Sequence, residues 1–282
     1  MSEILAEYIT RIEIQSLWSG RNHIIWNLKP DVNILSGVNG VGKSTILNKL
    51  VGRLKLPLHQ GEMWEDNTLG VKIDCQPSDA TYIRFDVIRN FDRPFIHQAD
   101  LSSHLPDTRI TTELDWQLYL LQRRYLDYQV NLGNHMIELL TAGGPESSKQ
   151  AAQLAKGKTE FQDMVDNLFG ETGKKIDRKN NEIVLLQQGE KLSPYVLSSG
   201  EKQMLIILLT VLTENKEPYV LLMDEPEISL HVEWQQRLIA LIRQLNPRVQ
   251  IILTTHSPAM IMNGWMGDVT DVVDITLPAD HQ

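Results

Sequence analysis

The sequence has 282 residues and a formal net charge of −9, from 27 Lys and Arg against 36 Asp and Glu. This acidic balance argues against a surface that coats nucleic acid, although a local basic patch is compatible with it. One cysteine, Cys75, excludes an internal disulfide framework and any multi-cysteine metal site, which fits a reduced, cytoplasmic setting. The longest apolar run, MLIILLTVL, is too short to cross a bilayer, and the acidic start lacks a signal-peptide pattern. We therefore expect no direct membrane insertion.

The N-terminal segments RIEIQSL, HIIWNL and DVNILSG predict three strands, the first by its alternation of apolar and polar residues. Together they suggest a small, partly antiparallel β layer before the first helix, KSTILNKLVGRL. The segment TYIRFDVIRNF predicts a further strand that ends near Asp92.

From about residue 100 to 191 the chain is polar and mainly helical. The break TAGGPESS separates two predicted helices, and NEIVLLQQGEKLSPYVL predicts a hairpin around Gly189. There are no sustained heptads, and the length excludes long coiled-coil arms. The first helix has a helix-compatible apolar stripe made of Leu114, Leu118, Leu121, Tyr125, Leu132 and Leu139.

The C-terminal third returns to an α/β pattern. YVLLM and VQIILTT are continuous apolar runs, as expected of strands that are covered on both faces. The helix between them, EWQQRLIALIRQL, makes this a strand–helix–strand crossover, and DVVDITL predicts a last strand.

The stretch GVNGVGKST matches the phosphate-binding pattern G-x-x-x-x-G-K-[ST] in full, after a predicted strand and before a predicted helix. Glycines let backbone N–H groups approach phosphate oxygens, and the helix N-terminus adds a favourable field. Lys43 would reach the β- and γ-phosphates, and Ser44 would ligate Mg²⁺. The nucleotide-binding residues predicted from this loop are Gly37, Val38, Asn39, Gly40, Val41, Gly42, Lys43, Ser44 and Thr45.

Two further segments supply candidate catalytic groups. YVLLMDEPE ends a buried strand at Asp224, which would hold Mg²⁺ through water, and Glu225 would polarise the attacking water. TTHSP puts His256 at the end of the neighbouring strand, where it would point at the γ-phosphate. The alternatives are a strand that runs into a solvated turn and an ordinary loop histidine. His97, His104, His135 and His231 show no metal-ligand spacing.

The segment LSSGEKQ begins the apolar helix that runs through Thr213. Ser198 or Ser199 would cap this helix, with Glu201 near its positive end. A helix start also attracts anions, but the phosphate loop would already bind the nucleotide of its own chain. A surplus anion site is explained if it faces the nucleotide of another subunit.

The chain resembles the head domain of ABC-type ATPases in the order of its motifs, which are the phosphate loop, LSSGE, DEPE and His256. The resemblance spans residues 37–256 and implies an α/β P-loop NTPase fold: a mixed-sheet core, an N-terminal antiparallel β layer and an inserted helical lobe. It predicts one domain, residues 1–282, with the lobe at 100–191. It also implies that the signature turn Ser198, Ser199 and Gly200 binds nucleotide in trans, with Ser198 and Gly200 on the γ-phosphate.

The branch of this family is indicated by two departures from transporter subunits. The signature ends in Glu201 where transporters have Gln, and His231 stands where their D-loop Asp would lie. Both resemble the SMC, RecF and OLD-like branch, and DEPEISLHVEWQ is similar to its small stand-alone AAA-family ATPases, although Val232 replaces a usual proline. Asp92 and Gln98 are both open as the Q-loop residue, and Trp18 is the nearest candidate for stacking on adenine.

The resemblance implies a cytoplasmic, Mg²⁺-dependent ATPase that dimerises head to tail around two ATP molecules and passes a conformational switch to a separate effector protein. DNA maintenance and phage defence are the roles that the branch suggests. The alternatives are the nucleotide-binding subunit of a transporter and a non-hydrolytic nucleotide sensor. DNA stays an open partner that the net charge does not favour. Its candidate contacts are Arg123, Arg124, Lys174, Lys175 and Arg178, although we expect these side chains to form a solvated helix face instead.

Overall fold

A parallel sheet of five strands forms the centre of the structure, a computed structural model that describes residues 3–17, 22–56, 65–66, 70–89 and 109–278. Continuous apolar strands such as VLLM are buried on both faces, because helices cover one side of the sheet and a second sheet covers the other. With strands numbered in chain order, the sheet order is β12 (Val269–Asp271), β3 (Val32–Ser36), β11 (Val249–Thr254), β10 (Tyr219–Asp224) and β6 (Phe85–Arg89).

The second sheet is antiparallel and contains the first two predicted strands, so the N-terminal antiparallel layer is confirmed for them. Its order is β13 (Thr276–Pro278), β2 (Asn22–Asn27), β1 (Tyr8–Leu17), β5 (Val71–Gln76) and β4 (Glu65–Asp66). The expectation that DVNILSG joins this layer is wrong. Residues 32–35 are all buried, so β3 fits the interior of the parallel sheet, where it pairs with β11.

Helix α1 (Lys43–Leu54) packs between the two sheets, in a core that it shares with β1 and β5. The buried side chain of Gln250 also joins the sheets, because it bonds both the N–H and the C=O of Ile9 at 2.8 Å. These contacts fix the strand–loop–helix unit that carries the phosphate-binding motif.

The opposite face of the parallel sheet is covered by helices α2 (Glu113–Ala142), α3 (Pro145–Phe169), α4 (Ser199–Thr213) and α5 (Val232–Leu245), and α6 (Pro258–Met262) packs against α5. The predicted break between α2 and α3 is confirmed. Helix α4 is buried over nearly its whole length because it packs against α2 and shares a core with strands β10 and β11. Among the described residues no helix is long and apolar enough to cross a membrane.

Beyond α3, strands β7 (Lys174–Ile176), β8 (Leu185–Gln187) and β9 (Glu190–Leu192) form a small antiparallel sheet, which confirms the hairpin around Gly189. The expected single strand over DVVDITL is wrong. Asp271 caps a 3₁₀ helix, Val272–Ile275, through the N–H of Val273, and this turn separates β12 from β13. Other 3₁₀ turns are Gly170–Thr172, Pro194–Val196 and Met266–Asp268. The division into one domain with a lobe at 100–191 stays a prediction.

Candidate nucleotide site

An open cleft of about 580 Å³ lies at the carboxyl ends of the parallel strands β3, β10 and β11. A cleft of this volume and position is typical of ligand sites in α/β folds. Its lining joins the phosphate loop to the two catalytic candidates; it consists of Asn39, Gly40, Gly42, Lys43, Ser44, Thr45, Glu225 and His256.

The loop backbone is set up for an anion at the start of α1. The N-cap residue Gly42 has a φ of 107°, a left-handed conformation that glycine adopts without strain. It offers no side-chain acceptor, so the first N–H groups of α1 keep their capacity to bind phosphate. Val41 packs on the core beneath the loop, whereas Val38 is exposed at its tip.

Lys43 lies folded against the loop. Its Nζ donates to the carbonyl oxygens of Gly37 at 3.0 Å and Val38 at 3.2 Å. Burial lowers the pKa of Lys43, and the nearby carboxylates of Glu225 and Asp224 offset this only in part. Phosphate oxygens in the cleft would therefore stabilise the charged form of this side chain.

Two oxygen atoms suited to binding Mg²⁺, Ser44 Oγ and Asp224 Oδ1, meet where Ser44 lines the cleft. Ser44 Oγ donates to Asp224 Oδ1 at 2.9 Å, and Thr254 Oγ1 donates to the same oxygen at 2.6 Å. In the described part of the chain no group of three or more His, Cys, Asp and Glu residues is placed to hold a metal. A hydroxyl and one carboxylate nevertheless fit Mg²⁺, which is commonly bound by few protein oxygens together with phosphates and water.

Glu225 and His256 contact each other across the cleft. His256 Nε2 lies 3.2 Å from Glu225 Oε1, and Nδ1 lies 3.5 Å from Lys43 Nζ. One tautomer, with the proton on Nε2, satisfies both contacts. Glu225 has a φ of 46°, which is uncommon for a non-glycine residue, and its N–H is held by Thr254 O and Oγ1, both at 3.1 Å.

Glu227 is a residue that the sequence analysis did not single out. Its Oε1 accepts hydrogen bonds from Thr255 Oγ1 at 2.6 Å, His256 N at 2.8 Å and Ser257 N at 3.2 Å. The loop that carries His256 is thereby tied to the turn after β10. The only sequence signal was the second glutamate in DEPE, whose partners lie 28–30 residues further along the chain.

The signature turn is a capped helix start, as predicted. Ser198 is the N-cap of α4, and it forms a capping box with Glu201. Gly200 is required by close packing, because a Cβ built on it would lie 2.3 Å from the carbonyl oxygen of Ser229. Among the described residues, those that line the cleft do not include Ser198, Ser199 or Gly200.

The candidate DNA contacts do not form a solvated helix face. Lys174 and Lys175 lie on strand β7, so that expectation is wrong for them. Arg124 bonds Asp86 and Glu214, Lys174 bonds Glu201, Arg178 bonds Asp163 and Asp166, and Arg123 stacks over Tyr119. Their charge is thus largely directed within the chain.

The remaining candidates fall into two groups. Trp18, Asp92, His97, Gln98 and His104 lie outside the described residues. His135 is exposed on α2, and His231 is the exposed N-cap of α5.

A family model described as "AAA domain, putative AbiEii toxin, Type IV TA system" matches residues 86–262, more than half of the chain. The chain belongs to this AAA-domain family. Septu protein PtuA of Bacillus thuringiensis is 25% identical in an alignment of 300 residues. This alignment covers 86% of the chain and 70% of PtuA. The family match confirms the AAA-family part of the predicted resemblance.

Two shorter matches are to retron proteins. "Retron Vc95 probable ATPase" of Vibrio cholerae serotype O1 biovar El Tor is 31% identical over 91 residues, 28% of the chain and 18% of that protein. "Retron Ec83 probable ATPase" of Escherichia coli is 32% identical over 106 residues, 34% of the chain and 20% of that protein. The chain thus spans a fifth or less of the length of these two relatives.

Among solved structures, this AAA-domain chain is similar to SMC heads. An Smc head bound to the C-winged helix domain of ScpA superposes with a TM-score of 0.51 at 13% identity, over 91% of each chain. The Smc head with an extended coiled coil from Pyrococcus furiosus also gives 0.51, at 12% identity over 91% of each chain. This likeness confirms the predicted α/β P-loop ATPase fold.

Proposed function

We propose that this protein binds ATP with Mg²⁺ and hydrolyses it as a head-to-tail dimer. The observation that carries the proposal is the convergence of Lys43, Ser44, Asp224, Glu225 and His256 around one cleft at the carboxyl edge of the parallel sheet. Each of these groups has a separate task in phosphoryl transfer to water.

The phosphates would be held by the loop N–H groups and by Lys43, whose Nζ would exchange two carbonyl oxygens for phosphate oxygens. Ser44 Oγ and Asp224 Oδ1 would hold Mg²⁺. When bound, the ion would supply positive charge that offsets the negative charge of the phosphates.

Glu225 would orient the attacking water, because it lines the cleft and its backbone N–H is held by Thr254. His256 would donate towards the γ-phosphate and give up its 3.2 Å contact with Glu225 when water and nucleotide enter. Because Glu225 and His256 contact each other at the cleft, the site favours an ATP hydrolase over a non-hydrolytic nucleotide sensor.

The signature turn would complete the site of the partner protomer. Support comes from the resemblance to ABC-type heads and from the fact that the turn does not line the cleft of its own chain, as far as the described residues show. Closure on ATP and release after hydrolysis would then be the conformational switch that is passed to a separate effector protein.

The cellular role we propose is phage defence, in a cytoplasmic complex. The support is the likeness to Septu protein PtuA and to two retron ATPases. A toxin–antitoxin family description and these relatives favour this role over that of a transporter subunit. The internal pairing of the basic candidates argues against tight DNA binding by a single protomer.

The test is Glu225→Gln, which keeps the shape and the backbone but polarises water poorly. We expect ATP binding close to parental, turnover lowered by roughly 100-fold or more, and accumulation of an ATP-bound dimer. Phosphate release, calorimetric ATP binding and sedimentation with Mg²⁺-ATP measure these quantities. Exposed Glu233→Gln is the matched control. Parental turnover in Glu225→Gln would remove Glu225 from the mechanism.

A further inference from the structure

An acidic residue lies within the signature turn and is bound to the residue that would meet the nucleotide. Glu201 Oε2 accepts from Ser198 N at 3.1 Å and from Ser198 Oγ at 3.0 Å. The N–H of Glu201 in turn lies 3.4 Å from Ser198 Oγ. The position of the Ser198 hydroxyl is therefore set by the Glu201 carboxylate.

The other carboxylate oxygen is bound from outside the helix. Lys174 Nζ donates to Glu201 Oε1 at 2.8 Å, and Thr172 Oγ1 lies 3.3 Å from the same oxygen. The side chains of Lys174 and Glu201 are only 15% and 7% exposed, so water screens this ion pair weakly. The signature turn is thus joined to strand β7 through a largely buried ion pair.

Burial raises the pKa of Glu201, but the hydrogen bonds from Lys174 and Ser198 outweigh it, and the pKa lies below its ordinary value. The carboxylate is therefore charged at neutral pH. A charged carboxylate beside Ser198 opposes the approach of a triphosphate, because like charges repel strongly where water is excluded. An acidic signature turn needs a compensating cation.

We propose that Lys174 is a positioning residue that offsets the charge of Glu201 and fixes its carboxylate, so that the signature turn can close on the triphosphate of the partner protomer. The inference rests on the proposed two-chain site. It assigns a role in nucleotide engagement to a lysine that lies outside the phosphate loop, the signature turn and the DEPE segment.

The test compares Lys174→Met with the double variant Lys174→Met/Glu201→Gln. Met keeps most of the stem and removes the charge, which leaves Glu201 uncompensated. We expect Lys174→Met to weaken Mg²⁺-ATP-driven dimerisation and to raise the KM for ATP, each by roughly tenfold, the loss expected for one hydrogen bond to a charged group. Removing the Glu201 charge as well should restore both quantities to within about threefold of parental.

Two controls separate the charge from a general role in folding. Lys175→Met alters the exposed neighbour on the same strand and should leave dimerisation and KM unchanged. Lys174→Arg keeps the charge and should stay close to parental. Thermal unfolding of every variant checks that it is folded.

Each result decides the matter. Rescue in the double variant, with Lys175→Met silent, supports the proposal. If the double variant is no better than Lys174→Met, or if Lys174→Met dimerises and turns over like the parent, the proposal is overturned. If the parent protein itself shows no ATP-driven dimerisation, the proposed function fails, and this inference falls with it.

Discussion

Replacing Glu227 with Leu removes the acceptor that holds the His256 loop. Its Oε1 accepts three hydrogen bonds, from Thr255 Oγ1, His256 N and Ser257 N. Thr255 is fully buried, so its hydroxyl would lose this acceptor away from water, whereas the N–H of exposed His256 can reach solvent. A stranded buried donor costs about 1–3 kcal/mol, and the weakened loop bonds add to this, so we expect a loss of roughly 2–4 kcal/mol in unfolding free energy.

The effect on turnover follows from the position of the imidazole. His256 lies 3.2 Å from Glu225 and 3.5 Å from Lys43, and displacing a catalytic group by 1 Å lowers a rate by about 100-fold. Glu227→Leu should therefore lose about 100-fold in kcat while it still binds ATP. Glu227→Gln keeps one carbonyl acceptor and should lose less than about 1 kcal/mol and less than about tenfold in kcat.

Urea unfolding, calorimetric ATP binding and steady-state phosphate release measure the three quantities. Exposed Glu233→Leu removes a carboxylate of the same type without touching the loop, and it should behave like the parent protein. Parental kcat per folded molecule in Glu227→Leu would refute the reasoning that this carboxylate positions His256.

Two further predictions concern the signature helix. Gly200→Ala should lower the free energy of unfolding by about 1–3 kcal/mol, because its Cβ would lie 2.3 Å from the Ser229 carbonyl oxygen. Gly133→Ala, in open space on α2, should be neutral or stabilising. Equal unfolding free energies for Gly200→Ala and the parent protein would contradict this reasoning. Burial raises the pKa of Asp115, but the ion pair with Lys202 and the N–H groups of Thr111 and Thr112 outweigh it and lower the pKa below 3.8. The stabilisation by the Asp115 carboxylate is thus present above about pH 3.8 and is lost as pH falls through the lower folded-state pKa. Asp115→Asn should therefore flatten the acid limb of the stability curve, measured by unfolding at successive pH values, whereas exposed Asp127→Asn should not. An unchanged acid limb in Asp115→Asn would count against the ion pair.

The sequence predicted the local elements of the site well, because each rests on chemistry that is local in the chain. The α1 helix begins at Lys43 as the phosphate-loop pattern requires, and Ser198 caps α4 as its hydroxyl and Glu201 indicate. The apolar runs before Asp224 and Thr255 are adjacent parallel strands, which brings their ends together.

What the sequence did not predict depends on contacts between distant segments. DVNILSG follows the two antiparallel strands directly in the chain, which suggests a third member of that layer, yet β3 lies in the parallel sheet, where the buried amide of Asn33 bonds the backbone of Lys29. Glu227 and Lys174 each meet partners more than 25 residues away, and no spacing in the chain marks those contacts. Such pairs follow from the tertiary packing and not from a motif.

The most direct measurement of the two-chain site mixes two inactive variants, Lys43→Ala and Ser198→Arg. Each homodimer has two broken sites, but a mixed dimer joins the sound phosphate loop of one chain to the sound signature turn of the other. Random mixing makes about half of the dimers mixed, each with one intact site, so roughly a quarter of parental ATP turnover should return if the sites fire independently. Mixed dimers that form with ATP and have independent sites, yet recover no turnover, would contradict the claim that Ser198 acts on the nucleotide of the partner.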